Sequence, residues 1–219
     1  MANERAQIHF NQIITFFKKW KIKINPNKTE NILFTKKHKD NTIFKPLRVN
    51  DQLIPLKDEA KYLGVQLDKR LTFRSHIKNL LRKAYGNMKN MFPLLSRNSF
   101  LSQRNKKLLY TSVLRPSLTY AAPAWCHVSK TTLKPLQIYQ NKCLRLILDK
   151  TKYTKIDTLH ELAELEKIDE HIFKISKSFF DNQLKHNKLT RHTKKTIQNS
   201  YGKNPRFAET YRSLGIITD

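Results

Sequence analysis

The chain has 219 residues, with 43 Lys and Arg against 17 Asp and Glu, a formal net charge of +26. Self-repulsion of that size is usually tolerated because a polyanion neutralises it, so nucleic acid is the leading partner, ahead of an anionic membrane surface. Hydrophobic residues make up 39%, which excludes a wholly disordered protein, and no run of about 18 apolar residues is present to span a bilayer.

The length allows one large or two small units. Cys126 and Cys143 are too few and too far apart for a disulfide framework or a four-ligand zinc site, and read as buried or inert thiols. The eight histidines are scattered without an H-E-x-x-H or a Cys/His cluster, so surface or partner-contact roles are the default and no protein-bound metal is expected. Met1 to Lys19 lacks a basic n-region followed by an apolar h-region and a cleavage site, so the protein is expected inside the cell, in the nucleus or the cytoplasm.

Glu4 to Trp20 places Ile8, Phe10, Ile13, Ile14, Phe17 and Trp20 at helical spacing, an amphipathic helix expected to lean on something upstream of it. The period then switches toward two. Ile22 to Ile24 alternates with lysines as a short strand would, Asn25-Pro26-Asn27 is a turn signal, and Glu30 to Lys36 reads as a strand. Leu47 to Val49 and Gln52 to Leu56 flank Asn50-Asp51, a pair suited to a two-residue hairpin turn. Lys61 to Asp68 gives one more strand, interrupted by Gly64, where a bulge or a close backbone approach is expected. The first third is therefore a helix plus a small antiparallel sheet.

From Thr72 the helical period returns through Ile77, Leu80, Leu81, Ala84, Met88, Met91, Phe92 and Leu95. Arg74, Lys78 and Arg82 step by four and share a side, with Lys89 two turns further on. The spacing predicts a second helix over Gln103 to Leu114, ending near Pro116, which can open the next. Thr131 or Thr132 before Pro135 reads as a further start, continued by Leu133, Leu136, Gln140, Cys143, Leu144 and Ile147. Asp157 is placed to cap a helix through Lys167, and another is expected from Asp169 to about Lys185. The tail from Asn187, with Arg191, Lys194 and Lys195, is polar and basic and is expected to be the least ordered part.

Four strings carry a resemblance. Trp20-Lys21-Ile22-Lys23-Ile24-Asn25-Pro26-Asn27-Lys28-Thr29-Glu30 resembles the motif after the catalytic strand in reverse transcriptases of jockey-like non-LTR retrotransposons. Lys61-Tyr62-Leu63-Gly64-Val65-Gln66-Leu67-Asp68 is similar to the same family's primer-gripping strand and turn. Leu114-Arg115-Pro116 with Tyr120-Ala121 and Trp125 resembles its thumb motif, and Leu136-Gln137, Asn141-Lys142 and Leu144-Arg145 its next helix. Each string alone is unspecific, but their order and spacing fit from about Phe16 to Lys185.

The resemblance implies an α+β architecture: a small antiparallel palm remnant with an N-terminal helix, then a mainly helical thumb and C-terminal helices. Its parts would be residues 1–70, 71–150 and 151–219. The family copies RNA into DNA with Mg2+ held by an early palm aspartate and a Tyr-Ala-Asp-Asp strand. Neither occurs in these residues, and Asp40, Asp51, Asp58 and Asp68 stand alone. The chain by itself is therefore expected to be inactive, to carry no cofactor, and to bind an RNA–DNA hybrid or duplex alongside a missing N-terminal polymerase region. A stand-alone basic nucleic-acid-binding protein derived from such a thumb is the rival reading, and a degenerate reading frame is a third.

Within that frame the resemblance implies that Lys28 assists departure of pyrophosphate; as a bare residue it is one more surface lysine. Tyr62, Leu63, Gly64 and Val65 form the primer-grip-like segment, where Tyr62 and Leu63 either touch the primer end or pack the sheet. Arg74, Lys78, Arg82, Lys89, Lys142 and Arg145 are candidate phosphate contacts or a solvated face. Tyr120 and Trp125 either stack on bases or, more in keeping with the usual burial of these residues, pack a core.

Overall fold

The computed structural model describes residues 2–35, 45–49 and 52–186. Two compact units result, the first running to His76 and the second starting at Ile77. Asp40, the Asn50-Asp51 turn and the tail from Asn187 lie outside the described residues.

In the first unit, helix α1 (Ala2–Lys19) has Glu4 in its first turn and Lys18 and Lys19 in its last, matching the sign of the helix dipole at each end. It closes on Lys21, which adopts the left-handed region at φ 55°, while the Ile22 N–H returns to the Phe17 carbonyl at 2.9 Å. That closure is why Ile22 to Ile24 is not the expected strand. Its first amide belongs to the helix end, and the segment joins no ladder among the described residues.

Asn25 then caps a single 3-10 turn, Pro26–Lys28. Its Oδ1 accepts from the Asn27 N–H at 3.0 Å, and its carbonyl accepts from the Thr29 hydroxyl at 2.9 Å. Strand β1 (Asn31–Ile32) is shorter than the predicted Glu30 to Lys36 run and pairs in parallel with β4 (Leu56–Lys57). The ladders are thus not all antiparallel as expected. Strands β2 (Leu47–Val49) and β3 (Gln52–Ile54) form the expected antiparallel pair, with Val49 opposite Gln52. The Gln7 side-chain amide clips α1 to β2, donating to the Arg48 carbonyl at 3.1 Å and accepting from the Arg48 N–H at 2.9 Å.

The Lys61 to Asp68 segment is not one strand with a bulge. It is the tip and return of a hairpin, β5 (Glu59–Tyr62) and β6 (Val65–Asp68), with Tyr62 opposite Val65. Leu63 and Gly64 make the two-residue turn at φ 45° and 81°. Positive φ at both central positions is the primed turn that matches strand twist, and glycine is the residue that occupies it without steric cost.

In the second unit, helix α2 (Arg74–Asn90), whose first residues belong to the first unit, is followed by α3 (Phe92–Leu95), α4 (Gln103–Leu109), α5 (Arg115–Leu118), α6 (Ala122–Trp125), α7 (Lys130–Ile147), α8 (Ile156–Ala163) and α9 (Ile168–His186). Trp125, Tyr110, Tyr139, Leu114, Leu118, Leu136, Leu144 and Leu159 are fully buried and make its core. Pro116 does not stop the helix before it. A π turn over Tyr110–Leu114 joins α4 to α5, the Arg115 N–H bonding back to Tyr110, which widens the backbone where proline has no N–H to give.

Two helix starts also shift. Ser129, not Thr131 or Thr132, caps α7, its Oγ accepting from the Thr132 N–H at 3.3 Å. The α8 cap is Lys155 without a side-chain bond, and Asp157 lies inside the first turn, paired with Lys167 at 3.0 Å. That helix stops at Ala163 rather than Lys167 because Glu164 turns left-handed at φ 49° and the Leu165 N–H bonds back to the His160 carbonyl.

Candidate nucleic-acid interface

In the first unit the two strings that carried the resemblance are joined by one carboxylate. Glu30 Oε1 accepts from Lys57 Nζ at 2.9 Å, and Oε2 accepts from the Lys61 N–H at 2.9 Å. The Lys57 bond and then the Lys61 amide hold the Glu30 carboxyl below the usual glutamate range. Glu30 so ties the turn that carries Lys28, which is exposed, to the strand leading to the hairpin tip. At that tip Tyr62 is 67% and Leu63 74% exposed, whereas Val65 is buried and anchors the turn. Both candidate contact side chains therefore stand on the surface, on a backbone fixed by the glycine turn.

The base of the hairpin is fixed by side chains that sequence reasoning left unassigned. Glu59 accepts from the Ser75 hydroxyl and from Gln66 Nε2. The Gln66 N–H points at Nδ1 of His76 at 3.3 Å, and His76 is buried. His76 and the buried His160 correct the expectation that histidines lie at the surface; each has a backbone partner in its own unit. Asp68 is the other anchor. It accepts from the N–H groups of Arg70, Thr72 and Phe73 at 3.1, 3.1 and 2.7 Å and from the Thr72 hydroxyl. Partial burial pushes the Asp68 carboxyl up, but the amide bonds from Thr72, Phe73 and Arg70 outweigh it and hold it below the ordinary aspartate range.

Those bonds also decide whether a magnesium ion fits. Asp68 presents oxygens already surrounded by donors, and Asp58 pairs with Lys69 at 2.8 Å. A pair of divalent ions needs carboxylates that converge on open space, so these two aspartates do not suit it.

On α2, Arg74, Lys78, Arg82 and Lys89 are all exposed. Lys142 on α7 is exposed too, with Nζ 5.2 Å from the centroid of the Tyr85 ring. Arg145 differs: it is half-buried, and its guanidinium donates to the carbonyls of Thr151 and Thr154, each at 3.2 Å, clamping the loop after α7. The aromatic pair separates as well. Trp125 is core, its Nε1 donating to the Tyr120 carbonyl at 2.9 Å, while the Tyr120 ring is exposed.

The string around Gln137 and Asn141 builds a polar junction. Gln137 Nε2 donates to Asn141 Oδ1 at 2.8 Å and faces His160 Nε2 at 3.1 Å, and Gln137 Oε1 accepts from the Ile168 N–H at 2.9 Å. His160 Nδ1 meets the Leu165 carbonyl at 2.8 Å. The spacing of Gln137 and Asn141 by one helical turn was the available signal; their partner His160, on another helix, left none.

Similarity to known proteins gives the class to which these exposed lysines and this glycine hairpin belong. The chain is homologous over most of its length to a segment of RNA-directed DNA polymerases from jockey-like and other non-LTR transposons. The probable RNA-directed DNA polymerase from transposon BS of Drosophila melanogaster is 31% identical over 86% of this chain and 21% of its own length. That from transposon X-element of the same species is 32% identical over 77% of this chain and 18% of its own length. The RNA-directed DNA polymerase from mobile element jockey of Drosophila funebris is 29% identical over 87% of this chain and 20% of its own length. The chain thus spans about a fifth of the length of the curated relatives it matches. No family model and no solved structure matches it.

Proposed function

We propose that the chain is the end of the palm, the primer grip and the thumb of a retrotransposon RNA-directed DNA polymerase, of α+β class. On this reading it holds the primer–template hybrid while the catalytic aspartates come from elsewhere. The observation that carries it is the succession of the four strings in a chain similar over 86% of its length to one such polymerase. The first unit supports it physically. A primer end has to be held in register, and a hairpin tip with Tyr62 and Leu63 exposed on a rigid primed turn offers a fixed edge for a nucleotide. Lys28, on a capped turn tied to the same hairpin through Glu30, is the ammonium available for departing pyrophosphate. The formal charge of +26 supplies the attraction for phosphates, and an A-like hybrid is gripped by shape and backbone rather than by sequence.

The test is binding of the purified chain to an RNA–DNA hybrid, paired with a primer-extension assay in magnesium and nucleotides. Tight hybrid binding without incorporation is expected. Absence of hybrid binding at low salt removes the proposal, and reproducible incorporation removes the part of it that places the carboxylates elsewhere.

A further inference from the structure

The loop between α7 and α8, Lys150-Thr151-Lys152-Tyr153-Thr154-Lys155, carries no motif in the sequence and belongs to none of the matching strings. Tyr153 is 81% exposed, too open for a core residue. Lys150, Lys152 and Lys155 around it are exposed as well. The acids flanking the loop are spent elsewhere: Asp149 pairs with Arg97 at 3.1 Å and Asp157 with Lys167 at 3.0 Å. Lys152 Nζ sits 5.0 Å from the centroid of the Tyr153 ring, so one face of the ring carries an ammonium.

The loop is also held in shape. The Lys150 N–H returns to the Arg145 carbonyl at 2.9 Å, the Thr154 N–H to the Thr151 carbonyl at 3.2 Å, and the Arg145 guanidinium takes the carbonyls of Thr151 and Thr154. An arginine that spends its fork on two loop carbonyls fixes the backbone on either side of Tyr153, and a fixed aromatic loses little freedom when a ligand meets it. An exposed, preorganised ring, with one face under an ammonium and lysines on both sides, is the chemistry that stacks an unpaired base while neutralising its phosphates.

We infer that the Tyr153 loop is a binding site for single-stranded nucleic acid, with Tyr153 as the stacking platform, Lys150, Lys152 and Lys155 as phosphate contacts and Arg145 as the positioning residue. The site goes beyond the proposed grip on a paired hybrid, because a base in a duplex has no free face to offer the ring. The flanking lysines make the site indifferent to base identity, and RNA and DNA strands both satisfy it.

The experiment uses the full chain, a labelled oligouridylate of about 12 nucleotides, within the site sizes common for such contacts, and an RNA–DNA hybrid of similar length. Tyr153→Ala is expected to weaken oligouridylate binding about 5- to 150-fold and to leave hybrid binding within about twofold. Tyr153→Trp, which keeps a stacking face, is expected to restore it. Because Tyr153 is exposed, neither change threatens the fold. Unchanged oligouridylate affinity in Tyr153→Ala overturns the inference while leaving the hybrid-holding proposal intact. An equal loss on both ligands overturns it too, since the ring would then not select unpaired bases. Tyr153-dependent binding to phosphatidylserine vesicles, with oligouridylate binding unmoved, assigns the loop to a lipid surface instead.

Discussion

Asp68 has the chemistry of a residue that is costly to protonate. Its carboxylate gathers the amides of Arg70, Thr72 and Phe73, so the turn leading into α2 depends on its charge. Its pKa is lowered in the folded protein, hence the unfolded chain binds the proton more tightly. A depressed carboxylate contributes stability that is fully present above the unfolded value, near about 3.9, and is lost as pH falls through the folded value. Stability is therefore expected to decline on acidification below about pH 4, and Asp68→Asn to flatten that limb while lowering stability at neutral pH. Urea unfolding of both proteins across the acid range measures it; identical acid limbs would remove Asp68 from the account. Glu30 shares the sign but is better solvated, and its pair with Lys57 is of the exposed kind that contributes little.

Among the elements, α7 shows how a helix is fixed to its neighbours by polar groups as well as by Leu136, Leu144 and Ile147. Gln137 gives its carbonyl to the Ile168 N–H that begins α9 and its amide to Asn141 and His160. Gln137→Leu keeps the side chain's bulk and strands the Ile168 N–H, while Asn141 and His160 keep their own 3.2 Å contact, and a buried group left without its bond costs about 1–3 kcal/mol. The second unit is expected to lose stability on that scale, with faster hydrogen exchange at the Ile168 amide, whereas Lys142→Ala on the exposed side of the same helix should leave that amide protected. Elements of this kind are half legible in the sequence. Apolar periodicity marks α2 and α7, because a core-facing stripe repeats whatever surrounds it, and it marks α1 although Ile8, Ile13 and Trp20 of that stripe are exposed. What escapes are the stops and joins. Glu164 and Lys21 turn left-handed without being glycine, and Pro116 sits beyond a π turn, so the residues that usually mark an end are absent or misleading. The hairpin at Leu63-Gly64 reads as a bulge since a glycine fits either, and only the pairing of Tyr62 with Val65 decides between them. Glu30 is legible as a letter of a string, but its bond to the Lys61 amide spans 31 positions and no local pattern encodes it.

At the scale of the whole molecule, charge decides more than any one side chain. On the proposed reading, with +26 on the chain the gain on binding nucleic acid comes largely from released counterions, so affinity is expected to fall steeply with salt. If about six to ten phosphates are neutralised, affinity for a hybrid drops by a thousandfold or more between about 50 and 200 mM salt. Arg74, Lys78 and Arg82 are the sharpest place to test which face does this, because they are one helical turn apart on α2, exposed, and clear of buried Ile77, Leu80 and Ala84. Replacing all of them by Gln leaves helix propensity nearly unchanged, so the protein should fold, while the logarithmic salt slope becomes shallower by nearly one for each phosphate that is no longer neutralised. A shallower slope with unchanged thermal unfolding places the hybrid on α2. The same slope as the parent puts the phosphates on another lysine-rich surface, and a slope near zero in the parent itself would mean that this charge serves something other than a polyanion.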